Sequence, residues 1–360
     1  MHHPDLCIAG AGIIGLSLAL ELYKRGYRVT VFDQGAPLAE SSTAAAGMLA
    51  AHDPDNPPQL LPLSTLSLSL YPDYLNRIHK LSGIHVPFQT HTTLQSVPAS
   101  ATIADRELRC EDLAHLLPAL TPGDHRFIRL DEHSLDPRQL AAALLVAVRA
   151  TTIDIQPYTR VFSTRSIDNA VEITSSNGTT HAAQFISCAG AWAAATSLQP
   201  NLPVAPKKGQ MFSILLPASL SLHLVVRTPD IYIVPRTAGP AAGRAIIGAT
   251  VEDVGFDKAV HPADIDRLRS LAATLLPAIS KTRPLEAWSG LRPATSDGLP
   301  LLGVLPNQPN HFIATGHYRN GILLAPATAR VMAEFVAGER PSVDLSPFSL
   351  DRTATKITSH

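Results

Sequence analysis

Asp5-Leu6-Cys7-Ile8-Ala9-Gly10-Ala11-Gly12-Ile13-Ile14-Gly15 runs from an apolar strand, Asp5–Ala9, through a Gly-X-Gly-X-X-Gly turn and into a helix. The helix ends near Arg25-Gly26, and the chain returns as a second strand, Arg28–Phe32, closed by Asp33. This is one βαβ unit. Gly10 permits the tight turn, Gly12 lets the backbone approach a pyrophosphate, and Gly15 allows close helix–strand packing. The helix N-terminus offers free N–H groups and a positive dipole end to phosphates, and Asp33 is placed to accept hydrogen bonds from ribose hydroxyls. A glycine-rich turn that holds nothing is the plain alternative, and the strand, helix and acid falling in register argue against it. The motif does not separate NAD from FAD, since both carry an ADP moiety and a pyrophosphate. The helix is apolar nearly all round (Ile13, Ile14, Leu16, Leu18, Leu20, Leu22), so it should be buried on more than one side.

Outward from this unit, the Pro-rich, polar stretch 53–63 marks a connection before a helix over roughly 64–82. Asp136-Pro137-Arg138-Gln139 combines an N-cap acid, a proline at the first helical position and a glutamine at the third, which predicts a helix to about Arg149 and then a strand, Ile153–Gln156. Alternating segments at 168–174, 210–216, 224–228, 231–235 and 244–251 read as antiparallel strands of a second sheet, with a helical pattern at 263–275 among them. Gly321–Val336 is helical in period, with Pro326 tolerable if it lies in the first turn. The fold class is α/β plus β: a Rossmann-like dinucleotide-binding domain with a smaller antiparallel-sheet domain.

The 360 residues suit two interleaved domains, and 45% hydrophobic against 16% charged residues suits a chain that buries a large cofactor. A net charge of −1 without a Lys/Arg run argues against nucleic acid. Cys7, Cys110 and Cys188 have neither metal-type nor disulfide-framework spacing, which points to a reducing compartment. The fifteen histidines lack metal-ligand spacing, and no G-x-S-x-G elbow is present. No stretch resembles a signal peptide with a cationic start or approaches the ~20 apolar residues of a membrane span, so no membrane is expected and the cytoplasm is the expected location.

Four further stretches carry a family resemblance: Ser41-Ser42-Thr43-Ala44-Ala45-Ala46-Gly47-Met48-Leu49, Pro206-Lys207-Lys208-Gly209-Gln210, Trp288-Ser289-Gly290-Leu291-Arg292-Pro293 with Asp297-Gly298-Leu299-Pro300, and Gly316-His317-Tyr318-Arg319-Asn320-Gly321-Ile322-Leu323-Leu324-Ala325-Pro326-Ala327. Together with the glycine turn they resemble the D-amino-acid oxidase superfamily, and within it the glycine oxidases of the thiamine thiazole pathway. The resemblance covers nearly the whole chain and is thin across roughly 85–130. It implies FAD as cofactor, bound by Gly10, Gly12, Ile13, Ile14, Gly15, Asp33 and Gln34, with Ser41, Ser42, Ala46, Gly47 and Met48 along the pyrophosphate and ring. It further implies that the Val161 backbone meets the adenine and that His317, Tyr318, Arg319, Asn320, Gly321, Ile322 and Leu323 wrap the isoalloxazine. A helix starting at Gly321 would aim its positive end at the edge where a reduced flavin gathers negative charge. The implied domains are 1–84, 133–203 and 286–345 for FAD, 85–132 and 204–285 for substrate, and a tail over 346–360. Family members are often homo-oligomers, so one is implied here too.

On the substrate side, Arg292 lies in an otherwise apolar segment and needs a partner, because a buried guanidinium without one is costly. The α-carboxylate of a small amino acid is one candidate, and a local acid such as Asp297 or Glu286 is the other. Tyr232 matches a family tyrosine that helps hold the carboxylate, or is a core aromatic on a strand face shared with Asp230 and Val234. Arg319 matches a family substrate contact, or clamps the flavin loop. The resemblance implies oxidative deamination of glycine or a similar small amino acid, with an imine product and O2 reduced to hydrogen peroxide. The flavin carries the hydride chemistry, so no general acid or base is named. A dehydrogenase passing electrons to a quinone, a nicotinamide-dependent enzyme and a non-enzymatic flavin subunit are the alternatives. Two positions depart from the family: a glycine is absent near Thr92-Thr93-Leu94, and Val251 stands for a methionine, both bearing on pocket size.

Overall fold

In the computed structural model, residues 4–98, 107–195 and 202–352 are described. The opening unit forms as read: strand Leu6–Ala9, helix Ile13–Lys24 and strand Val29–Phe32. It lies in a six-stranded sheet ordered Leu301–Leu305, Gln308–Thr315, Gln184–Ser187, Leu6–Ala9, Val29–Phe32 and Asp154–Gln156, parallel except at the first pair. Leu6–Ala9 is fully apolar because both sheet faces are covered. Leu6 and Ile8 face a core shared with the helices Ile13–Lys24, Leu61–Ser82, Pro137–Arg149 and Gly321–Val336. Cys7 and Ala9 face the other way, onto a small antiparallel sheet of Val161–Ile167, Ala170–Ser175 and Gly178–Ala182. The segment expected at 168–174 therefore belongs to this cover and not to the second large sheet.

That second sheet has seven strands in the order Glu286–Ala294, Ala205–Leu215, Arg244–Gly248, Tyr232–Pro235, Val225–Arg227, Thr93–Val97 and Arg126–Leu130. Its outer face packs Phe212, Ile214, Ile233 and Ile247 against Ile265, Leu268 and Ala272 of helix Pro262–Leu275. Its inner face sets Val225, Val234 and Ile246 against Ala46. Glu286–Ala294 pairs along its whole length with Ala205–Leu215, so it joins this sheet although the sequence groups it with the cofactor-binding segments. The strand expected to run to 251 stops at Gly248, and the chain leaves the sheet with Val251 exposed.

Two helix details correct the sequence reading. Asp136 caps the Pro137–Arg149 helix by accepting from the Arg138 amide at 3.0 Å, but Gln139 reaches out to the His85 carbonyl instead of closing a capping box. Pro326 sits in the second turn of Gly321–Val336, where its ring removes the hydrogen bond to the carbonyl of Ile322. The buried Tyr71 hydroxyl donates to that carbonyl, and Ser67 Oγ donates to the next one, Leu323, while accepting from the Ala327 amide. The Leu61–Ser82 helix thus repairs the break, and the helix stays intact for sixteen residues.

Candidate active site

In a mostly parallel sheet, ligands bind beyond the carboxyl ends of the strands at the point where strand order reverses. Here that point is Leu6–Ala9, with Val29–Phe32 on one side and Gln184–Ser187 on the other. Two cavities meet there, of ≈ 1190 and ≈ 890 Å³, sharing Gly12, Ser41, Ser42, Cys188 and Gly190. One arm reaches Asp33, Gln34, Val161 and Trp192, and the other reaches Tyr232, Arg292 and Arg319.

The glycines at the junction act as their spacing requires. Gly10 has φ +111° and a Cβ there would strike the Cys188 carbonyl oxygen at 2.3 Å, while one on Gly15 would lie 1.9 Å from the Gly10 oxygen. Ser42 Oγ accepts from the Ile13 amide at 2.9 Å, and the other first-turn amides of this helix lack intrahelical acceptors. Asp33 binds the turn as well as facing the cavity: Oδ2 accepts from the Ala11 amide at 2.7 Å and Oδ1 from Gly35 at 2.8 Å. Burial raises its pKa against the pull of these amides. Each oxygen retains a lone pair for a ribose hydroxyl.

At the other arm, Ala46, Gly47, Met48, His317, Tyr318, Arg319, Asn320, Gly321 and Ile322 line the wall. Leu323 and Gly15 are not part of that wall, and the Leu323 side chain is buried in the helix core. Tyr318 donates its amide to the Pro293 carbonyl at 2.8 Å, tying this loop to the Arg292 strand. Burial drives the His317 pKa down to about 3, so its imidazole, paired with Thr328 Oγ1 at 3.0 Å, is neutral at ordinary pH.

Arg292 and Tyr232 come together on the inner face of the seven-stranded sheet. The two local acids considered for Arg292 are engaged elsewhere: Asp297 binds Arg352 at 2.7 Å and Glu286 binds Arg138 at 2.6 Å. Among the described residues, Arg292 has no carboxylate within ion-pair distance, and Nη1 donates to the Thr250 and Lys208 carbonyls at 3.1 and 3.4 Å. Two glycines not singled out as site residues make the room. A Cβ on Gly209 would lie 2.2 Å from Arg292 Nη2, and one on Gly248 would lie 2.6 Å from the Tyr232 hydroxyl. Burial raises the Tyr232 pKa while Arg292, Arg319 and Arg236 pull it down, so the phenol stays protonated with cations around it. Arg319 does more than face the cavity: it pairs with Asp53 and Asp55, both at 3.6 Å, and neighbouring Asn320 bonds Asn56 at 2.9 Å. Arg319 therefore lines the cavity and also ties its loop to the Asp53–Asp55 segment. Asp53 and Arg227 also line the cavity and were missed, because each is a lone charge in its own segment with partners far along the chain. Of the two departures, Val251 is 59% exposed and outside the cavity wall, and Thr93 is buried within its strand, so neither sets the pocket's size.

The fit to FAD rests on this layout: an acid at one end, a helix N-terminus bare of side chains at Gly12 in the middle, and a roomy, cationic end bounded by a second helix N-terminus. The fold and site define a flavin-dependent oxidoreductase. Residues 5–335 match the family of FAD dependent oxidoreductases, and the chain belongs to it. Its cofactor is FAD, which sets aside the nicotinamide reading. The glycine oxidase of Geobacillus kaustophilus is 32% identical over 99% of both chains. Its crystal structure superposes with a TM-score of 0.90 over 98% of this chain and 100% of that one. The bifunctional protein ThiO/ThiG of Trichormus variabilis is 34% identical over 97% of this chain and 55% of its own length.

Proposed function

We propose that this chain oxidises glycine or a similarly small amino acid to its imine, with O2 as final acceptor and hydrogen peroxide as second product. The observation that carries the reading is the Arg292 guanidinium, which faces the cavity without an acid of its own. Bound FAD supplies the two-electron acceptor for the substrate's Cα hydrogen. The chain's part is to place that hydrogen. Arg292 grips both oxygens of the α-carboxylate with its planar fork, and the protonated Tyr232 hydroxyl donates a further hydrogen bond. Neutral His317 adds no charge to the wall, and the N-terminus of Gly321–Val336 presents its positive end to the cavity. Ala46, Gly47, Met48 and Ala50 leave a short apolar wall, which suits a substrate with little or no side chain.

The ThiO/ThiG relative supports a role in supplying the imine for thiazole assembly. The same reading assigns Gly10, Gly12, Ile13, Ile14, Asp33, Gln34, Val161, Ser41 and Ser42 to the dinucleotide, all of which line one or both cavities. The 85–132 and 204–285 segments form the substrate domain in this reading, which membership of the seven-stranded sheet supports. No helix among the described residues is long and apolar enough to cross a membrane, and a cytoplasmic location and homo-oligomeric assembly belong to the same proposal. The test is anaerobic: glycine should bleach the bound flavin, and Arg292→Ala should raise KM by orders of magnitude while FAD stays bound. Unchanged kinetics in the variant, or a flavin indifferent to every small amino acid, refutes the proposal.

A further inference from the structure

Beside Arg292, the same cavity carries a second group of charges that the reaction as described does not use. Arg227 and Tyr232 are cross-strand partners, and Arg227 is 2% exposed. Its Nη1 stands 3.5 Å from Asp53 Oδ2 and makes no hydrogen bond, Nη2 reaches Glu132 at 3.2 Å, and Nε donates to Gln95. Arg319, from the loop across the cavity, brings Nη2 to 3.6 Å from the same Oδ2 of Asp53. Two guanidinium groups from different walls thus converge on one carboxylate oxygen. All three residues line the cavity, whose wall carries three arginines and this single acid. Glu132 and Asp55 engage the far sides of the two arginines and are absent from the wall.

We infer that Asp53 is a specificity-determining residue that fills, from the protein's side, the place where Arg227 and Arg319 would otherwise take a second acidic group of the ligand. The inference rests on the reading that Arg292 holds the α-carboxylate. With Asp53 ionised, the Arg227–Arg319 end is compensated, and Arg292 with Tyr232 is the one cationic partner left for an incoming carboxylate. A ligand with a second carboxylate brings it against Asp53 and is repelled where water is scarce. Without that charge the cavity-facing sides of the two arginines, their far sides still paired with Glu132 and Asp55, become a second anion subsite, and the pocket turns toward ligands with two carboxylates. Discrimination by placing a like charge is a general route to specificity.

The test uses the FAD-loaded protein and two unreactive probes of matched skeleton, methoxyacetate with one carboxylate and diglycolate with two. Binding is followed by perturbation of the flavin absorbance. In the unaltered protein diglycolate should bind no more tightly than methoxyacetate. Asp53→Asn, which keeps an oxygen acceptor for Arg227, should favour diglycolate by at least about tenfold in the ratio of the two Kd values. Arg319→Gln removes an exposed cation and leaves Asp53 less compensated, so the ratio should move the opposite way by about threefold or more. A ratio unmoved by Asp53→Asn overturns the inference; if that variant yields no folded holoprotein, a ratio unmoved by Arg319→Gln does so. Glycine bleaching that persists with unmoved ratios sinks this inference alone. Failure of both probes to bind in any form sinks it together with the Arg292 assignment.

Discussion

Gly209→Ala is the sharpest probe of the site, because Gly209 is not itself part of the cavity wall, yet it lies beneath the Arg292 guanidinium. An added Cβ would sit 2.2, 2.4 and 2.5 Å from Nη2, Nη1 and Cζ. Ordinary contact needs about 3.5 Å, so the planar group must retreat by at least about 1 Å. The obstacle is the far end of a flexible side chain, and Gly209 has ordinary strand backbone, so the fold should lose less than about 1 kcal/mol. The displaced fork also trades its hydrogen bonds to the Thr250 and Lys208 carbonyls for a new setting. A misplacement of this size at a substrate-orienting group costs roughly 10²-fold. Glycine turnover should therefore show kcat/KM about 100-fold lower, with flavin content unchanged. The decisive arm is the double variant: in an Arg292→Ala background, Gly209→Ala should cost almost nothing further, since both act through one guanidinium. Additive losses, or full activity in Gly209→Ala alone, would refute the idea that Arg292 in this pose holds the substrate.

Tyr71→Phe should leave the Ile322 carbonyl without a partner inside the core, costing about 1–3 kcal/mol and lowering the urea midpoint, with weaker FAD retention because that helix turn borders the cavity. An unchanged midpoint would mean the carbonyl finds another donor. His317 supplies a pH prediction. Its folded pKa of about 3 lies below the unfolded value of 6.5, so the unfolded state binds the extra proton. Its contribution is fully present above pH 6.5 and is lost as pH falls toward 3, about 2 kcal/mol of it by pH 5. Urea titrations at pH 7 and 5 should show this decline, and His317→Gln should flatten it; an equal decline in the variant assigns the loss to other groups.

The sequence states the dinucleotide half of the molecule plainly and the substrate half poorly, for a physical reason. The glycine turn, its helix and Asp33 are local: each residue's role follows from neighbours within one βαβ unit, and the structure places Gly10 and Gly15 against the atoms that forbid a side chain. The Gly321 helix start is also local and falls at the residue expected. Its mid-helix proline is not, because the repair comes from Tyr71 and Ser67, some 250 residues earlier. Arg292 could be read as needing an anion but not which one, since Asp297 and Glu286 are nearby in sequence. Only the fold shows both spent on Arg352 and Arg138. Asp53 and Arg227 gave no signal at all, for the same reason: their meaning is a 3.5 Å approach between segments that share no pattern.

That asymmetry has a consequence for how such an enzyme changes substrate. The cofactor arm is built from backbone geometry, where a substitution at Gly10 or Gly15 meets main-chain atoms that cannot yield. In the proposed function the substrate arm is built from side chains on three strands of the seven-stranded sheet, Tyr232, Arg292 and Arg227, opposed by Asp53 and Arg319 from connecting segments. Charges in that arm can be exchanged one at a time while Gly209 and Gly248 keep the room open. On the proposed function, substrate choice is therefore free to drift on a fixed flavin platform, and the compensated Arg227–Asp53–Arg319 group, not the proposed carboxylate grip at Arg292, is the place where a single exchange should redirect it.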